Sequence, residues 1–179
     1  MLERQRSLLI VTDIQGKLAR LMFQREELFR NIGIIIDGCK ILGVPILWIE
    51  QYPDGLGATV EEIASHLEGL SPLSKKTFSA LRDERIRSGF MELNRDQILM
   101  TGIEAHICIY QTSMDMLSRG FETHVLCDAV SSRTETNKNI GLEKIIRAGG
   151  HLSSVETVLF ELLGEAEGEQ FKQILNLVK

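Results

Sequence analysis

Cys108 is the residue on which covalent chemistry could be built. It lies in Gln97-Ile-Leu-Met-Thr-Gly-Ile-Glu-Ala-His-Ile-Cys-Ile-Tyr-Gln-Thr112. There a strand-type apolar run, Ile98-Leu99-Met100, breaks at Gly102 and gives way to Ile107, Tyr110, Met114 and Leu117 at helical spacing. The pattern is strand, tight turn, helix, with Cys108 in the first helical turn. Unpaired N–H groups and the positive end of a helix favour a thiolate over a thiol, and the thiolate is the nucleophile. A free thiol titrates at about 8.5, and such surroundings lower that by one to several units. The usual fate of a cysteine is that of a small buried hydrophobe, so this stretch by itself favours packing over chemistry.

Two other charged groups could join it. Asp13 ends the apolar run Ser7-Leu-Leu-Ile-Val-Thr-Asp13. A carboxylate at the C-terminal end of a parallel strand stands where open α/β sheets bind ligands, although a turn or capping aspartate has the same signature. Ser71-Pro-Leu-Ser-Lys-Lys-Thr-Phe-Ser-Ala80 holds Lys75 and Lys76. Adjacent lysines usually face solvent; one turned inward would stabilise a thiolate or carboxylate.

The elements that would position these groups follow from periodicity. Ser7–Thr12, Pro45–Glu50, Gln97–Thr101, Phe121–Asp128 and His151–Val155 read as strands, with a short extended stretch near Ser71–Ala80. Helices are expected over Glu26–Leu42, Thr59–Leu67, Ala80–Phe90, the Cys108 segment to Arg119, Asn137–Ala148, Glu156–Leu163 and Glu167–Val178. The loop Gln51–Gly57 leaves the C-terminal end of the second strand, so Tyr52 and Leu56 could touch a ligand there. The alternation predicts an α/β fold: a three-layer Rossmann-like sandwich with a mostly parallel open sheet of about six strands and helices on both faces, one domain over residues 1–179.

Composition narrows the function classes. A net charge of −5 argues against nucleic acid as the main partner. No apolar run approaches a membrane span, and the N-terminal residues lack the apolar region of a signal peptide. A cytoplasmic protein without membrane partners is expected. Cys39, Cys108 and Cys127 form no CxxC pair, which suits reduced thiols. Neither GxGxxG after the first strand nor GxxxxGK[ST] occurs, so a nucleotide site is not indicated.

Thr101-Gly-Ile-Glu-Ala-His-Ile-Cys108, Asp128-Ala-Val-Ser-Ser-Arg133 and Val155-Glu-Thr-Val-Leu-Phe160 resemble the isochorismatase-like cysteine hydrolases, the superfamily of nicotinamidases and N-carbamoylsarcosine amidases. Glu50-Gln-Tyr-Pro-Asp-Gly-Leu-Gly57 is similar to the isochorismatase domain-containing subgroup. The resemblance implies a triad of Asp13, Lys75 and Cys108, with Lys75 preferred to Lys76 for its place three residues before Phe78 of the Phe-Ser motif. It also implies a cis peptide at Ile103–Glu104, aiming the N–H of Glu104 beside that of Cys108 as oxyanion donors. The implied reaction is cleavage of a C–N bond in a small amide or carbamoyl substrate through an acyl-enzyme.

No metal or other cofactor is expected. Nicotinamidases carry an Asp-x-His motif and a further histidine, whereas here Asp54-Gly-Leu56 and His66 leave too few ligands. Glu104, His106, Tyr110 and Arg133 have structural readings: turn or solvent-facing residues for the first two, helix packing for Tyr110, and for Arg133 a partner carboxylate on a neighbouring chain. A homo-oligomer is implied, with the C-terminal amphipathic segments as a route to it. The rival reading is a pseudo-enzyme, an oligomeric interaction protein with Cys108 idle or redox-sensing.

Overall fold

The computed structural model describes residues 1–179. Its centre is set by β1 (Ser7–Thr12), an apolar strand buried along its whole length. Leu8 and Ile10 point into one apolar layer, Leu9 and Val11 into the other. That two-residue alternation forces a helical cover on both faces. The other strands are β2 (Ile46–Gln51), β3 (Leu73–Lys75), β4 (Gln97–Ile103), β5 (Glu122–Ser131) and β6 (His151–Ser153). All six pair in parallel in the order β3-β2-β1-β4-β5-β6.

Four helices precede β3: the one-turn α1 (Gly16–Ala19), the long α2 (Arg25–Leu42), and the short α3 (Pro53–Leu56) and α4 (Glu61–Ala64). They are followed by α5 (Glu84–Glu92), α6 (Tyr110–Leu117), α7 (Glu135–Arg147), α8 (Val155–Leu163) and α9 (Gly168–Val178). Ile32, Ile35 and Ile36 of α2, Leu159 of α8 and Ile174 of α9 cover the Leu9 face. Ile86 and Phe90 of α5, Met116 of α6, and Leu142 and Ile145 of α7 cover the Leu8 face.

Several expected boundaries move. The helix expected over Ala80–Phe90 is a 3₁₀ turn at Ala80–Arg82 followed by α5. Asp83 divides them because its side chain accepts from the N–H groups of Arg85 and Ile86 and caps α5. Strand β5 runs three residues beyond Asp128, past a register shift opposite Met100 and Gly102. Asp128 is therefore within the strand, where its carboxylate accepts the N–H of Val155 at the start of α8.

The C-terminal segments do not present the free apolar faces expected for oligomer contacts. Ile174 is fully buried, and Phe171, Leu177 and Val178 pack on the chain's own core. Their stripes are used within the chain because α2 needs a cover along its outer length.

Candidate functional site

Four strand ends build the site. Asp13 directly follows β1 with a left-handed backbone, φ 62°. Its N–H donates to the carbonyl of Ile49 on β2 at 3.0 Å, which ties the residue to the neighbouring strand. Lys75 closes β3 in register with Gln51, the last residue of β2. Its Nζ donates to Asp13 Oδ2 at 2.8 Å and to Gln51 Oε1 at 2.5 Å. Lys75, Asp13 and Cys108 keep only 1, 4 and 6% of their exposure. Lys76 points the other way, its ammonium over the exposed Tyr52 ring at 5.3 Å. Asp13 and Cys108 follow β1 and β4, the adjacent strands between which the sheet order reverses, and open α/β sheets bind ligands at such points.

The chain reaches Cys108 through a constrained turn. Gly102 has φ 132°, and a Cβ there would lie 2.1 Å from the carbonyl oxygen of Thr12, so only glycine lets β4 lie this close to β1. Glu104 is left-handed at φ 55°, and Ala105–Ile109 forms a π-helical turn leading into α6. The peptide bonds are all trans, which corrects the cis bond expected at Ile103–Glu104. The left-handed Glu104 makes the turn instead. Cys108 lies in that π turn, where the Ile107 N–H donates to the Glu104 carbonyl at 2.8 Å.

The electrostatics also differ from the sequence-based expectation. Burial pushes the Cys108 thiol well above its ordinary range; the negative charge of Asp13 adds to this, and Lys75 opposes it. Burial also raises the Asp13 carboxyl, while the Lys75 charge and hydrogen bond and the Cys108 thiol draw it down. Burial and the neighbouring carboxylate thus favour the thiol, in the opposite direction to a helix N-terminus acting alone. Asp13 Oδ2 is held by Lys75, whereas the buried Oδ1 makes no hydrogen bond of ordinary geometry. The neighbouring thiol is the group able to deliver a proton to it.

The remaining residues divide. Tyr52 borders a cleft with Lys75, Lys76 and Arg82, and its N–H donates to the Lys75 carbonyl at 2.8 Å. Leu56 does not line that cleft, and its backbone carbonyl lies against Gly16 at the start of α1. Arg133 pairs with Glu104 at 3.0 Å inside the chain, not with a neighbour. His106 bonds Ser132 at 3.0 Å, His66 bonds Asp37 at 2.9 Å, and Lys144 stands over the Tyr110 ring at 4.2 Å.

Two positions in the hydrogen-bond network of the buried lysine escaped the sequence analysis. Gln51 is the second acceptor of the buried lysine, and Gln15 fixes Gln51 by accepting its N–H at 2.6 Å and donating to its carbonyl at 3.1 Å. Glutamines have no motif of their own. The signal was positional: Gln51 ends a buried strand, as Asp13 nearly does.

The isochorismatase domain model matches residues 7–157. A zebrafish (Danio rerio) relative, isochorismatase domain-containing protein 2, is 37% identical over 173 residues, covering 96% of this chain and 86% of its own. A secreted isochorismatase effector, Isc1, from Phytophthora sojae is 36% identical and covers 97% and 84%. Among solved structures, the MAR1 ribonuclease of Caenorhabditis elegans superposes with a TM-score of 0.91 at 32% identity, over 99% of this chain and 91% of that one. A family domain spanning β1 to the first residues of α8, and relatives this similar along nearly their whole length, place the chain in the isochorismatase family.

Proposed function

We propose that the protein is a metal-independent cysteine hydrolase that cleaves a C–N bond in a small amide or carbamoyl compound. The observation that carries this reading is the buried Asp13 carboxylate, held on one oxygen by Lys75 and left free on the other beside the Cys108 thiol. A fully buried ammonium–carboxylate pair is a poor source of stability, because desolvation offsets the attraction, and such pairs cluster at reactive sites.

In this reading the thiol proton passes to Asp13 Oδ1 as Cys108 Sγ bonds to the substrate's carbonyl carbon. The carbonyl electrons move onto oxygen, facing N–H groups of the turn from Glu104 to Cys108; one such donor contributes about 3–4 kcal/mol. The C–N bond then breaks, and the leaving amine takes the proton from Asp13. Water attacks the thioester carbon, giving its proton to Asp13 and then back to sulfur as the acid departs. Lys75 keeps the carboxylate oriented and offsets its charge throughout. Tyr52 borders the approach on the side of β3; Leu56 has no place in this version of the pocket. No metal enters, since the one histidine near the expected position, His66, is engaged with Asp37.

Ammonia release from a panel of small amides and carbamoyl compounds tests the proposal. Turnover is expected for at least one compound, with loss of at least a thousandfold in Cys108→Ala and an unchanged melting temperature. A panel with no turnover, or turnover that survives in Cys108→Ala, refutes the hydrolase reading. The ribonuclease description of the C. elegans relative supplies a second reaction to assay. A charge of −5 and a sulfur with 6% exposure argue that RNA is not turned over here.

We also place the protein in the cytoplasm as a homo-oligomer: its three cysteines are free, and Phe78, Met91 and Ile140 leave apolar side chains exposed on the single chain. No helix is long and apolar enough to cross a membrane.

A further inference from the structure

The opposite end of the sheet carries a second cluster of reactive side chains. Glu122 opens β5, His124 lies two residues on, and His151 opens β6. Residues two apart share one face of a strand, and His124 is the register partner of His151 in the parallel β5–β6 pair. Backbone pairing therefore fixes all three on one face at the N-terminal edge of the sheet. The triad lies beyond the C-terminal edge.

Their geometry is that of an incomplete coordination shell. Glu122 Oε1 is 2.9 Å from His124 Nε2, and the two imidazoles stack with centroids 4.8 Å apart. One donor atom from each of the three residues lies within 4.8 Å of the others. Ligand atoms about 2.0–2.1 Å from a tetrahedral cation stand roughly 3.3 Å apart, so a small rotation of the exposed His151 would close the set. The other carboxylate oxygen is already fixed: Gln97 Nε2 donates to Glu122 Oε2 at 3.0 Å, and Arg6 stands 3.6 Å away. Partners of this kind orient a ligating carboxylate, here with Oε1 turned toward His124 Nε2. Glu161 of α8 adds negative charge to the wall of the same cleft.

We infer that Glu122, His124 and His151 form a binding site for a divalent transition cation of the zinc class, with water in the fourth position. Two imidazoles and one carboxylate suit zinc and disfavour calcium or magnesium, which require all-oxygen shells. The site joins the outermost strand β6 to β5 and stands apart from catalysis.

Zinc titration of the full chain against a chromophoric chelator tests this. The expected result is one zinc per chain, bound at least tenfold more weakly by His151→Ala and by His124→Ala. Binding is expected to be unchanged in Cys108→Ala and in Cys127→Ser, since Cys127 lines the same cleft. Zinc should also raise the melting temperature of the wild type and not that of His151→Ala, whose exposed position spares the fold. Absence of stoichiometric binding, equal binding by His151→Ala, or loss on removing either thiol would overturn the assignment.

Discussion

At the scale of single residues, Lys75 decides whether the site holds together. Its ammonium is the only cation bonded to the buried Asp13 carboxylate. Lys75→Met keeps most of the volume and removes the charge, leaving a carboxylate in a desolvated site. Breaking one side of a buried pair costs about 3–5 kcal/mol. Urea denaturation at pH 7.5 should show a loss of that order. The double variant Lys75→Met/Asp13→Asn should recover much of it, since neither charge then remains. If the single variant is as stable as the wild type, the pair does not hold the structure. The proposed hydrolysis has a related signature: it needs Asp13 ionised, and burial raises that carboxyl. The rate should therefore climb with pH through a transition above the ordinary carboxyl range, read from kcat/KM profiles. Iodoacetamide labelling should show no midpoint below that of a free thiol, because burial and Asp13 raise Cys108 as well.

At the scale of elements, two helical glycines give opposite predictions from one substitution. Alanine improves an exposed helix interior by about 1 kcal/mol over glycine. Gly89 in α5 has only Leu73 Cδ1 at 3.8 Å from a built Cβ, so Gly89→Ala should stabilise by about that amount. Gly141 in α7 packs directly on the turn before Cys108, where a Cβ would come within 2.5 Å of the Ala105 carbonyl oxygen and 2.7 Å of the His106 nitrogen. Those atoms are backbone and cannot step aside, so the overpacking cost of about 1–3 kcal/mol exceeds the helical gain. Gly141→Ala should lower the melting temperature and reduce activity by displacing the turn; an increase in both would mean that α7 moves freely. The same contact marks where sequence reading stops. β1, β2, β4 and most helices were legible, because buried parallel strands and amphipathic helices write their periods into the chain. So was Asp13 as a strand-end charge, whereas Lys75 was set apart from Lys76 only by the family resemblance. The π turn and the bulge in β5 were not legible, since each arises from packing between distant segments. Gln51 was hidden for the same reason: only the β2–β3 register sets it opposite Lys75.

At the scale of the whole molecule, the carboxylates fall into two groups with opposite effects on stability. Partial burial pushes Asp115 and Glu122 up, but hydrogen bonds outweigh it: Arg82 and Ser79 hold Asp115 low, and Gln97 and His124 hold Glu122 low. Asp96 is held low by its hydrogen bond to Arg6. Groups depressed on folding contribute stability above their unfolded values, near about 4, and lose it as the pH falls through their folded values. Asp13 and Asp128 behave the other way: burial raises both, against Lys75 for the first and the Val155 N–H for the second. Their stabilising contribution is complete below the unfolded value and is lost as the pH rises through the folded one. The second pair takes up protons above the ordinary carboxyl range, where the first set is still ionised. Stability should therefore rise on mild acidification from pH 7.5, pass a maximum, and fall below about pH 4 as the depressed carboxylates protonate. Urea midpoints across that range, at one fixed protein concentration, measure the curve. In Asp128→Asn the rise on the neutral side should shrink while the acid limb stays in place. A wild-type curve that falls steadily from neutrality would show that the surface ion pairs govern stability and that the two buried carboxyls do not titrate on unfolding.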